Sequence, residues 1–168
     1  SDPVDNRTGL WLASGTGDSL TLNFVVSDSE TLVDETGNHF VGSSSFPSEA
    51  HINDRDNVFF KINVVKEGVS GSKESIWMVG EEGQQLLALA GQTVNDGFGT
   101  QRTLLAPFEF GVRNVGTGNQ DGRPSSVSNT DRVVLKSTLS GGLDAILVSP
   151  SCCYLIFRDS FEALPQAD

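Results

Sequence analysis

The chain has 168 residues, with 22 acidic against 11 basic for a net charge of −11, and 37% of it is apolar. That length suits one domain, or two very small ones, with a sizeable core. Charge of this sign repels phosphate backbones and the Lys and Arg residues are scattered, which argues against nucleic acid as a partner. No apolar run approaches the ~18 residues needed to span a bilayer. The acidity itself reads as solubility, with cation binding or a salty, extracellular medium as the sharper alternative.

In chain order, Ser1-Asp2-Pro3-Val4-Asp5 is polar and lacks an initiating Met. Such a start is expected of a mature protein whose leader was removed, or of an excised fragment. Asn6-Arg7-Thr8 matches the N-glycosylation sequon, which makes Asn6 a candidate acceptor. Strands are predicted at Gly9-Leu10-Trp11-Leu12 and over the apolar run Leu20–Val26. Residues 34–51, rich in Ser and Gly, read as a long loop holding both histidines, His39 and His51. Strict alternation follows, placing Val58, Phe60, Ile62 and Val64 on one face of a strand, with Phe59, Lys61, Asn63 and Val65 on the other. Ser75–Met78 and Leu86–Ala90 are further strands. Glu81–Leu89 alone has helical character, but its flanking glycines favour a turn and then a strand. Asn95-Asp96-Gly97 is a turn, and residues 107–126, rich in Gly, Asn and Pro, are a second long loop. Val133, Leu135, Ser137 and Leu139 share a strand face, and Ser140-Gly141-Gly142 closes a hairpin onto 144–148. Cys152-Cys153 precedes a last apolar run, Tyr154–Phe157. Adjacent cysteines alternate faces in a strand, which leaves three states open: reduced thiols, a vicinal disulfide, or bonds to different partners.

Ile52–Lys61 and Val127–Lys136 are one ten-residue pattern written twice, 75 positions apart. The flanks repeat too: Trp77 follows Trp11 by 66 residues, and Ile146 follows Trp77 by 69. The expected fold is therefore all-β, made of duplicated antiparallel units, propeller-blade-like or packed as a sandwich. The chain reads as a single domain, 1–168, with units at 9–74 and 75–143 and a partial third at 144–168.

Asn53-Asp54-Arg55-Asp56-Asn57-Val58-Phe59-Phe60 resembles the N-x-x-G-x-x-A-F signature of tandem-repeat proteins of bacterial surfaces. Ser75–Val79 and Leu86–Gly91 take the places of the two strands that follow the motif in that family. Asp56 stands where the motif has Gly and Phe59 where it has Ala. In the second copy the substitutions are Ser128 for Asn, Asp131 for Gly and Leu135 for Phe. The resemblance implies a secreted, propeller-like repeat protein and carries no catalytic residues over.

Read physically, the polar residue at 53 or 128 and the Asp at 56 or 131 form a tight turn that launches the strand. The competing reading makes Asn53, Asp54 and Asp56 oxygen ligands of a Ca²⁺ ion, and the sequence suggests no other cofactor. Two histidines without H-E-x-x-H, and Ser-rich loops without G-x-S-x-G, give no support to a zinc or serine enzyme. The expected function is non-enzymatic: an extracellular or cell-surface structural, adhesive or filament-forming protein that self-associates through terminal strands. The alternative is an extracellular glycan- or Ca²⁺-binding module that uses the loops 34–51 and 107–126.

Overall fold

Alternating apolar residues separated by Asp, Asn, Ser and Gly turns give an all-β chain, as expected. The computed structural model describes residues 9–15, 19–27, 30–43, 47, 49–96, 99–110, 127–128, 130–149 and 154–157, with backbone alone at 149 and 154–157. Among these there is no α-helix, and every strand pairing is antiparallel.

The chain divides into two compact units, Ser1–Leu89 and Ala90–Asp168. The first contains β1 (Gly9–Ser14), β2 (Thr21–Ser27), β3 (Thr31–Val33), β4 (His39–Gly42), β5 (Glu49–Ile52), β6 (Val58–Lys66), β7 (Lys73–Gly80) and β8 (Gly83–Leu89). The second contains β9 (Thr93–Asn95), β10 (Gln101–Phe110), β11 (Val133–Leu139), β12 (Leu143–Ser149) and β13 (Tyr154–Phe157). The division at Leu89/Ala90 does not fall at the boundaries expected at 74/75 and 143/144.

Both units are wound alike. The first sheet has the order β3-β4-β6-β7-β8, with β5 on the same edge of β6 as β4. The second has the order β9-β10-β11-β12-β13, and the bridge Val127↔Val133 repeats the β5 pairing Ile52↔Val58. β3 and β8, at opposite ends of the first path, touch, so that sheet curls upon itself.

Three expectations change. Residues 34–51 are not a long loop, since β4 and all but the last residue of β5 lie within them and hydrogen-bond to β6. Residues 107–110 continue β10, while the rest of the expected loop, 111–126, lies outside the described residues. Residues 144–157, the expected opening of a third unit, join the second sheet by hydrogen bonding: β12 pairs with β11 along its whole length and β13 pairs with β12.

The inner face of the first sheet is the predicted one. Val58, Phe60, Ile62 and Val64 are buried with Leu32, Phe40 and Trp77 in one core, to which β2 adds Val26. Phe40 and Trp77 meet edge to face at 5.6 Å. Buried Ser75 holds the polar end of that core: its Oγ donates to the Ile62 carbonyl at 2.8 Å and accepts from Trp77 Nε1 at 2.9 Å. In the second sheet Val133, Leu135, Ser137 and Leu139 are buried on the equivalent face.

Candidate functional site

The repeated motif is a turn, and it occurs more often than the sequence pattern alone indicates. At Asn53 the backbone N–H donates to the Asn57 carbonyl at 3.1 Å, and Asp56 N–H returns to the Asn53 carbonyl at 3.1 Å. Asn53 Oδ1 accepts from the N–H groups of Arg55 (3.0 Å) and Asn57 (3.1 Å). Ser128 repeats the arrangement with Arg132 and Asp131, its Oγ accepting from Thr130 and Arg132 N–H groups. Two further copies went unread in the sequence. Asp34 pairs with Asn38 and Gly37, and Asp96 pairs with Thr100, each carboxylate accepting from the backbone of its own turn. All four turns place a left-handed residue three positions on: Gly37, Asp56, Gly99 and Asp131, with φ of 80°, 59°, 89° and 60°. Asp tolerates that conformation because its short polar side chain bonds locally, so Asp56 and Asp131 can stand where the other two turns have Gly37 and Gly99.

This geometry bears on the candidate Ca²⁺ ligands. Asn53 is buried, and both lone pairs of its amide oxygen are taken by backbone N–H groups. Asp54 and Asp56 are exposed at the rim of the same turn. Among the described residues no group of three or more His, Cys, Asp or Glu side chains is arranged to hold a metal ion. The turn reading accounts for every atom the cation reading would use on Asn53. Cys152, Cys153 and Asn6 lie outside the described residues.

The histidines are held apart from each other. His39 begins β4 and lies 3.8 Å from Glu67, both exposed; His51 in β5 lies 3.5 Å from Glu49, which also meets Lys61 at 3.6 Å. In the second unit Arg102 donates to buried Asp96 at 2.9 Å and to the Ser140 carbonyl at 3.1 Å, tying the β9–β10 turn to the β11–β12 hairpin. A shallow groove of about 180 Å³ runs between β1 and β5, lined by Leu10, Trp11, Leu12 and Val25 with Ala50, His51, Ile52 and Val58. Its walls are mostly apolar, and among the described residues His51 is the one titratable side chain in it.

The largest anomaly is the β1–β2 hairpin. Its register matches that of β7–β8 pair for pair: Trp11↔Phe24 corresponds to Trp77↔Leu86, Leu12↔Asn23 to Met78↔Gln85, and Ser14↔Thr21 to Gly80↔Gly83. The bulge recurs as well, between Leu10 and Trp11 and between Ile76 and Trp77. The expected Trp11–Trp77 correspondence therefore holds. Its continuation moves by one residue: Phe60 pairs with Trp77 and Leu135 with Leu147, so Leu147, not Ile146, stands in the Trp77 place. A one-residue slip changes the face, and Leu147 is buried where Ile146 is exposed. Although the two hairpins match, their surroundings differ. β7 is flanked by β6 and β8, whereas β1 pairs with β2 alone among the described strands. Trp77 is 0% exposed and Trp11 is 55% exposed, with Leu20, Leu22 and Phe24 exposed beside it. Among the described residues Trp11 keeps a single aromatic contact, edge to face on Phe24 at 5.0 Å.

The chain matches no protein-family model, no curated protein and no solved structure. Among the described residues no helix is long and apolar enough to cross a membrane.

Proposed function

We infer that this is a non-enzymatic, secreted or cell-surface β-repeat protein whose role is structural or adhesive and which self-associates through its terminal strands. One observation carries the reading. The β1–β2 hairpin copies β7–β8 down to its bulge, yet it stands as a two-stranded sheet with the counterpart of a core tryptophan in solvent. An isolated two-stranded hairpin is marginal in water, and an unpaired strand edge templates pairing with another chain. Leaving Leu20, Leu22, Phe24 and Trp11 uncovered forgoes on the order of 1.5–3 kcal/mol for each side chain. These residues sit together on one ribbon, which favours an assembly surface over scattered exposure. A clustered apolar face with no convergent polar groups also suits adhesion better than catalysis. Light scattering over a concentration series tests the reading: species larger than the 17.9 kDa monomer should accumulate. A chain that stays monomeric at every concentration overturns it.

A further inference from the structure

We propose that copies of this chain associate head to tail through two different faces, the inner face of the β1–β2 hairpin of one copy and the outer face of β12 of the next. The proposal rests on the self-association just inferred and specifies its surfaces. Its template is a contact already made inside the first unit. The hairpin β1–β2 uses its outer face, Leu10, Leu12 and Val26, to cover the inner-face core around Trp77 and Phe40. The register relations identify the counterparts of both sides of that contact. Trp11 and Phe24 correspond to Trp77 and Leu86, and they form an inner face that nothing described covers. The chain of equivalences Leu10 to Ile76 to Ile146, and Leu12 to Met78 to Val148, identifies the outer face of β12.

That second face is partly exposed. Ile146 is 38% exposed, and Leu105, which shares the outer face of the same sheet, is 39% exposed, whereas Ile76 in the first unit is 0% exposed. Thus, among the described residues, one copy presents an inner face without its cover and an outer face without its core. Each is the missing half of the contact the other would make. Because the two faces differ, the contact is heterologous and repeats from copy to copy, closing into a ring or extending into a filament as the rotation dictates. The net charge of −11 opposes any such stacking, so raising the ionic strength should strengthen it.

Complementation of two full-length variants tests the faces. Leu22→Glu spoils the hairpin face and Ile146→Glu spoils the outer face; both residues are exposed, and circular dichroism and thermal melting should match the parent. Each variant alone should sediment as a monomer, while an equimolar mixture should form dimers of about twice 17.9 kDa and stop there. Leu20→Glu and Leu105→Glu, on the same two faces, should reproduce the pattern and guard against a local folding defect in either first variant. Should the parent assemble while both single variants still assemble, or should either variant alone form discrete dimers, the proposed pairing of faces is wrong and self-association stands. A parent that never assembles overturns this proposal and the self-association together.

Discussion

At the residue scale, the four matching turns explain why the chain repeats an Asp/Asn/Ser with a left-handed residue three positions on. Each first residue caps its own turn with a side-chain oxygen, so removing that oxygen leaves backbone donors to find water. Asn53 is buried, and Asn53→Ala should cost about 1–3 kcal/mol in chemical denaturation, more than Ser128→Ala in its exposed turn. Because Asn53 Oδ1 is fully occupied by backbone donors, a chelator should leave the melting temperature unchanged; a clear drop would restore the cation reading of Asn53, Asp54 and Asp56. Burial pushes the Asp34 carboxyl up, but hydrogen bonds from Asn38 and Thr36 outweigh it and hold the group at about 2, below its ordinary 3.8. A lowered folded-state value means the stabilisation is complete above about pH 4 and is lost as the pH falls through about 2. Asp34→Asn should flatten that segment of a stability-against-pH curve. Two of these turns were legible as the repeated pattern at 52–61 and 127–136. The Asp34 copy was missed, and Asn95-Asp96-Gly97 was legible as a turn but not as a copy of the motif, because the strands before them, β3 and β9, are three residues long and give no periodicity. Their signal was there nonetheless, an Asp with a Gly three positions on.

At the element scale, one hairpin appears in two settings and so separates propensity from context. Trp77 sits in a closed core with Phe40 against it and Ser75 receiving its indole N–H; Trp11, more than half exposed, has Phe24 as its aromatic partner among the described residues. Trp77→Ala should therefore cost about 3–5 kcal/mol of unfolding free energy. Trp11→Ala in dilute solution should cost about 1 kcal/mol, the scale of one exposed aromatic pair. Equal losses at the two sites would contradict the structural contrast. The strand faces were readable because β6 alternates strictly from Val58 to Val64, and the β11–β12 hairpin because Ser140-Gly141-Gly142 marks its turn. β4 and β5 were not readable: each has four residues, and Ser- and Gly-rich sequence around them masks the alternation. What orders them is the long edge of β6, a tertiary partner that no local window contains.

At the scale of the whole molecule, the sequence pattern revealed duplication but set its phase differently. Counting from Trp11 gives units that begin with the hairpin; hydrogen bonding gives sheets that end with it, at β7–β8 and β12–β13, while β1–β2 pairs with no other strand among the described residues. Apolar periodicity finds the repeat length, whereas only pairing shows which strands close a sheet. The unpartnered hairpin is the root of the functional reading, and Trp11 reports on it directly. The chain has two tryptophans, so Trp77→Phe leaves Trp11 as the sole indole probe. Acrylamide quenching of that variant, followed against protein concentration with the fold checked by circular dichroism, tests the central claim most directly. Covering of the hairpin in an assembly predicts strong quenching in dilute solution that falls, with a blue shift in emission, as concentration rises. Quenching that stays equally strong at every concentration would contradict it.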